Sequence, residues 1–197
     1  MRKIVAITQV SVDGVMQAPG APEEDSSNGF THGGWAMPFV DDAAGRVISK
    51  TIAGDFDLLL GRRTYDIFAA YWPKQGDNPI AKAFDKATKY VVTHRRDHLD
   101  WQKSQRIGDD VVAELRKLKS SDGPPLHIWG SSQLLQTLIA AGLVDEHRVW
   151  VFPVVLGAGK RLFENGVPPR DLVLVETGST PSGVLFNTYR PAGPLRT

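Results

Sequence analysis

The chain reads as an α/β protein: a mainly parallel sheet layered between helices and finished by an antiparallel hairpin. Three observations predict this. Short β-rich runs alternate with helical stretches along most of the 197 residues, and such alternation builds parallel strands joined by right-handed crossovers. Two of the runs, ending at Leu60 and Trp129, stop at a glycine that opens onto a helical pattern. Near the C-terminus the pattern changes to two strand-like runs around Pro181-Ser182-Gly183, which predicts an antiparallel edge.

Taken in order, Ile4–Val10 is a β-rich run leading into a turn at Ser11-Val12-Asp13-Gly14. Ala18–Pro38 is rich in Gly, Pro, Ser and Asn and has no periodicity. A loop of that length is commonly a lid or a binding loop. With His32 and Trp35 at its tip it reads either as a lid reaching a substrate or as a surface loop with Trp35 tucked in. Phe39–Ala53 places Val40, Ala43, Ala44, Val47, Ile48 and Ile52 on one helical face; Asp41 lies on the edge of that face, in the first turn. Asp57–Leu60 predicts a strand and Thr64–Ala70 a helix. Ile80–Lys86 is one or two helical turns, and Lys89–Thr93 a strand ending in His94-Arg95-Arg96. Trp101–Ile107 is weakly patterned, with room for a short strand. Asp109–Lys119 is an amphipathic helix, Leu126–Trp129 a strand, and Gln133–Ala141 a helix stopped near Gly142. Val149–Leu156 is a strand in which Pro153 demands a bulge or an edge position. A tight turn, Gly157-Ala158-Gly159-Lys160, follows, and Leu172–Glu176 and Val184–Tyr189 form the hairpin.

Composition narrows the partners. Hydrophobic residues make up 42% and charged residues 23% of the chain, and net charge is +1: one ordinary domain with no global field for nucleic acid or an anionic membrane. The absence of cysteine removes disulfides, thiolate catalysis and cysteine-held metals, and fits a reducing cytoplasm. The N-terminal apolar run is broken by Thr8 and Gln9 and reads as a strand, not a signal peptide.

In parallel α/β sheets ligands sit at the carboxyl ends of the strands. That rule gathers Gly61-Arg62-Arg63-Thr64, Thr93-His94-Arg95 and Gly130-Ser131-Ser132-Gln133 along one rim. Glycines let backbone approach a pyrophosphate, hydroxyls donate to phosphate oxygens, and helix N-termini favour anions. Arg62, Arg63 and Arg95 suit a separate phosphate, such as that on the ribose of NADP. The rim therefore predicts a nucleotide or phosphorylated cofactor. No GxGxxG follows the first strand and no GxxxxGK[ST] or GxSxG occurs; of the five histidines only His94 and His98 are four apart, and no third histidine or cysteine accompanies them.

The run LLLGRRTYDIF, ending at Phe68, is similar to the strand-to-helix segment of dihydrofolate reductases. IWGSSQLLQTLIAAGLVDEHRVWVFPVVLGAGKRLF resembles the reductase domain of the bifunctional deaminase-reductase of riboflavin biosynthesis. The resemblance runs from Ile4 to Arg190 and leaves no counterpart for the deaminase half. It implies a dihydrofolate-reductase-like three-layer fold, NADPH as cofactor, and frequently a homodimer. By position, Gly61 to Thr64 would hold the adenosine and pyrophosphate side, and Thr93, His94 and Arg95 would lie at the adenosine phosphate. Gly130-Ser131 would match a Gly–Gly pair at the pyrophosphate, sometimes with a cis peptide. Ser132, Gln133 and Leu134 would open the phosphate-facing helix, and Asp13-Gly14 would lie in the loop over the nicotinamide. Asp41 is the candidate catalytic acid, with water as the alternative proton source. His32 and Trp35 are candidate substrate contacts, and Lys160, with Arg161, would meet a substrate phosphate. The activity implied is a 5-amino-6-(5-phosphoribosylamino)uracil reductase-like reaction or one on a related heterocycle; alternatives are dihydrofolate reduction and a non-catalytic, dimeric NADP-binding module.

Overall fold

The computed structural model describes residues 1–196. Eight strands form one sheet: β1 (Ile4–Ser11), β2 (Asp57–Gly61), β3 (Lys89–Val92), β4 (Ser104–Ile107), β5 (Leu126–Trp129), β6 (Glu146–Phe152), β7 (Arg170–Ser179) and β8 (Leu185–Pro194). Their spatial order is β4-β3-β2-β5-β1-β6-β8-β7. The first six are mutually parallel, and β8 runs antiparallel between β6 and β7. Among the described residues five α-helices accompany them: α1 (Asp42–Ile52), α2 (Arg62–Tyr71), α3 (Pro79–Lys86), α4 (Val111–Ser120) and α5 (Ser132–Ala140). No described helix is long and apolar enough to cross a membrane.

The period of two along each strand sorts its side chains into two cores. Ile4 and Ala6 of β1, Leu59 of β2 and Ile128 of β5 pack with Leu115 of α4 and Leu135 and Leu138 of α5. Their alternates face the other way. Val5 and Ile7 meet Val47 and Ile48 of α1, and Leu58 and Leu60 meet Tyr65 of α2 and Phe84 of α3. The three central strands are thus apolar on both faces, which is why they read as continuous hydrophobic runs. Leu58, Leu59 and Leu60 are all 0% exposed, and each burial contributes about 2 kcal/mol.

Several boundaries shift from the expected ones for identifiable reasons. Pro153 neither bulges nor edges β6: the strand stops at Phe152, because the proline has no N–H for the ladder. The region before α1 turns once as a 3₁₀ segment at Met37–Phe39, and the helix proper starts at Asp42, capped by Asp41. β7 and β8 each run ten residues, longer than expected. Much of their surface is exposed on both faces, so no clean alternation marked their ends.

Candidate functional site

The strand order contains a switch point. α2 leaves the carboxyl end of β2 and leads outward to β3, whereas α5 leaves the adjacent β5 and leads back across β1 to β6. Helices that depart in opposite directions from neighbouring strands leave a crevice between their N-termini. A cleft of about 170 Å³ opens there, lined by Thr8 and Gln9 of β1, by Gly61–Thr64, and by Trp129–Leu134.

The two corners are hydrogen-bonded to each other. The Gly61 N–H donates to Ser131 Oγ at 3.0 Å, and the Ser131 N–H donates to Thr64 Oγ1 at 3.1 Å. Gly130 and Ser131 both take left-handed backbone, with φ of +63° and +56°. Glycine adopts that conformation freely; serine does so at a cost. No described peptide bond is cis, so the Gly130–Ser131 bond is trans, unlike the cis form sometimes implied for the pair.

The helix starts differ in how they are capped. Asp41, Asn78 and Asp110 cap α1, α3 and α4 with side-chain acceptors. α2 and α5 have no side-chain cap and no acid in the first turn. Those are the two helices that open on the cleft. Their leading N–H groups and positive dipole ends face it with no acid in their own first turns, which suits an anionic ligand.

Arginines line one side, with unequal freedom. Arg62 is held by Asp97, at 3.0 and 2.7 Å, and by Asp66 at 2.7 Å, and these partners raise its pKa further. Arg63 has one looser partner, Asp25 at 3.5 Å, and its side chain is 61% exposed. Arg95 pairs with Asp97 at 2.9 Å and shares a shallow neighbouring depression with Arg62 and Arg63. Thr93 is buried and its Oγ1 accepts from the Arg95 N–H at 3.1 Å. His94 is exposed. Thr93 and His94 therefore stand beside the cleft rather than on its walls.

The opposite wall comes from Met16–Pro19, from Glu24 and Asp25, and from Lys160. Lys160 was expected here; the two acids and Gln17 were not. Gln17 is buried and organises this wall. Its amide donates to the Asp25 and Ser27 carbonyls at 3.0 and 2.9 Å, while its Oε1 accepts from the Lys160 N–H at 3.0 Å. Glu24 and Asp25 are driven apart in acidity. Burial, with help from the neighbouring Asp25 charge, pushes the Glu24 carboxyl up, although the Gly20 and Ala21 N–H groups donate to it. Burial also opposes charge on Asp25, but hydrogen bonds from Lys160 and Ser27 outweigh it and hold that carboxyl low.

Five expected site residues lie elsewhere among the described residues. Asp41 is a structural acid: its Oδ1 accepts from the Ala44 N–H at 2.8 Å and its Oδ2 from the Ser182 N–H at 3.1 Å, tying α1 to the turn before β8. The same backbone bonds, Ala44 first, hold its pKa low. Trp35 is buried against Phe152, and its Nε1–H donates to the Gln17 carbonyl at 2.7 Å. It anchors the Ala18–Pro38 loop to the core. His32 is exposed, edge-on to Phe30. Asp13 and Gly14 also fall outside the cleft wall. The Asp13 carboxylate accepts from Ser11 Oγ and from the Leu156 and Gly157 N–H groups, which bring its pKa down to about 2.

Comparison with known proteins places this architecture. Residues 2–186 match the family model of the RibD C-terminal domain. The uncharacterized protein YyaP of Bacillus subtilis (strain 168) is 35% identical over 136 residues, covering 67% of this chain and 72% of YyaP. Among solved structures, Enterococcus faecalis dihydrofolate reductase complexed with NADP(H) and RAB-propyl superposes with a TM-score of 0.61 at 16% identity, covering 96% of each chain. Acinetobacter baumannii RibD superposes with a TM-score of 0.60 at 15% identity, over 98% of this chain and 58% of that one. At those identities the two structures establish a dihydrofolate-reductase-like fold, and the family match establishes the lineage. The chain belongs to the RibD C-terminal domain family, of reductase type.

Proposed function

We propose that the chain is an NADPH-dependent reductase that reduces a C=N or C=O carbon of a flat heterocyclic substrate. The observation that carries this reading is the pair of uncapped helices, α2 and α5, facing one cleft at the switch point of the sheet. Gly61, Thr64, Gly130 and Ser131 would hold the pyrophosphate side, and the first turn of α5, Ser132 to Leu134, would supply backbone donors. Arg63 is the freest of the three rim arginines for a ribose phosphate. When bound, the cofactor supplies a hydride, and the protein supplies orientation and electrostatics.

A reduction of this kind also needs a proton. Asp41 is committed to its cap, so the acid that supplies it is Glu24. This carboxyl lines the cleft, and burial raises its pKa above the ordinary carboxylate value. A raised carboxyl beside a lowered one is the division of labour expected of an acid and a charged neighbour. The bound substrate would lie among Thr8, Gln9 and Glu24, beside the apolar surface of Phe68 and Trp129.

The homodimer and cytoplasmic readings belong to the same proposal. The former is supported by β7, an outermost strand on which Val173, Leu174 and Val175 are about half exposed; the latter by the absence of cysteine.

The test is a titration with NADPH and NADH, followed by assays with dihydrofolate and with the phosphoribosylaminopyrimidine intermediate of riboflavin biosynthesis. Saturable binding that favours NADPH, with turnover of a heterocycle, is the expected result. Binding without turnover of any heterocycle favours the non-catalytic module, and no saturable binding sinks the reading.

A further inference from the structure

Resting on the reading of the cleft as a substrate site beside the cofactor, we propose that Asp25 is a specificity-determining residue that excludes phosphorylated substrates by occupying Lys160. The substrate class is then an unphosphorylated heterocycle.

The wall opposite the two helix N-termini carries a single cation among its described residues, Lys160. Its Nζ lies 2.5 Å from Asp25 Oδ2, and the two side chains are only 17% and 12% exposed. Arg161, next in the chain, is turned away: it donates to the Asp13 and Gly157 carbonyls. A substrate phosphate on this wall would therefore meet no free cation. It would have to displace Asp25 and leave that carboxylate buried without its partner, which is costly in a site with little water.

The pair is built and not incidental. Gln17 fixes the backbone of both partners, donating to the Asp25 carbonyl and accepting from the Lys160 N–H. The Met16 N–H donates to the Lys160 carbonyl at 2.8 Å. The Ser27 N–H donates to Asp25 Oδ1 at 3.1 Å, and Arg63 approaches the same oxygen from across the cleft at 3.5 Å. Asp25 thus has two hydrogen-bond donors, Lys160 Nζ and the Ser27 N–H, with Arg63 more loosely beside them. The glutamate beside it stays unpaired with any cation and faces the cleft. A wall whose one cation is neutralised and which offers a carboxyl group suits N–H groups of a heterocycle and gives a phosphate no counter-charge.

The test is calorimetric titration of the full chain with ribose 5-phosphate. Wild type should bind weakly. Asp25→Asn keeps an acceptor for Ser27 but removes the charge on Lys160's partner, and should bind at least about tenfold tighter, the worth of one charge-assisted hydrogen bond. Adding Lys160→Ala to that variant should abolish the gain. Lys160→Ala alone leaves the Asp25 carboxylate in place without its cation and should bind no tighter than wild type, an arm that holds even if Asp25→Asn fails to fold. Equal binding by wild type and Asp25→Asn would overturn the proposal. So would tighter binding by Lys160→Ala alone, or a gain that survives Lys160→Ala and vanishes with Arg63→Ala. A parallel titration with NADPH reads the cofactor site separately, so failure of the reductase reading is distinguishable from failure of this one.

Discussion

Replacing Thr64 with valine probes how the two corners make one cleft. The substitution keeps shape and removes Oγ1, the acceptor of the Ser131 N–H at 3.1 Å. Ser131 is 9% exposed, so water cannot readily replace the lost acceptor. An unsatisfied buried N–H costs about 1–3 kcal/mol. For a chain of this size each kcal/mol lowers Tm by roughly 2–4 °C, so the expected fall is about 2–12 °C. The effect should not stop at stability. Ser131 sits in left-handed backbone and its Oγ accepts from the Gly61 N–H, so loosening it disturbs both walls, and NADPH affinity should fall with Tm. Thr64→Ser retains the hydroxyl and should restore both. Differential scanning calorimetry and a fluorescence titration read the two quantities. A Thr64→Val protein with wild-type Tm and NADPH affinity, or a Thr64→Ser protein as damaged as Thr64→Val, would refute the reasoning.

Other outcomes follow from the same geometry. Arg63→Ala should erase most of any preference for NADPH over NADH, about 10- to 100-fold for a charge-assisted phosphate contact. Arg62→Ala should change that preference less, because Asp66 and Asp97 already engage Arg62; the reverse ranking in a binding assay would contradict this. Glu24→Gln should lower kcat by about 100-fold or more, the usual worth of a general acid. It should also flatten the decline of rate as pH rises through the Glu24 pKa, and an unchanged pH profile would remove Glu24 from the chemistry. Stability should drop in mild acid because His127 and His147, both buried, titrate at about 4, burial being the chief cause. Their neutral forms are favoured in the fold, so the unfolded chain binds more protons between pH 6.5 and 4, and stability falls as pH falls through that window. The loss is about 3 kcal/mol for each histidine. His127→Phe, stacking on Phe56 as the imidazole does at 4.5 Å, should remove its share, as measured by urea unfolding across the window.

The parts of the site that were legible in the sequence are those written in local patterns. An apolar run, a glycine and a helix start are adjacent in the chain, so both the Gly61 and Gly130 corners could be read and set on one rim. That they also bond to each other could not be read, because Thr64 and Ser131 are 67 residues apart. The second wall was harder for the same reason. Gln17, Glu24 and Asp25 lie in or beside an aperiodic stretch, and their roles come from partners such as Lys160, 135 residues away from Asp25. Asp41 misled because a carboxylate in the first turn of a helix is also what a cap looks like, and its second partner, Ser182, is remote. Trp35 carried two open readings, and burial against Phe152 decided for the core. Among the strands, β4 was faint because Ser104, Gln105 and Arg106 at the sheet edge are polar. The signal that could have found Asp25 is the pairing of a short acidic run, Glu23-Glu24-Asp25, with the lone Lys160-Arg161 turn.

The most direct test of the central claim is a titration of the purified chain with NADPH, followed through the fluorescence of Trp129, which lines the cleft. A Trp129→Phe control assigns the signal. Saturable quenching by NADPH, weaker quenching by NADH, and loss of the difference in Arg63→Ala are the expected results. Absence of saturation with either nucleotide, or equal affinity for both that Arg63→Ala leaves unchanged, would contradict it.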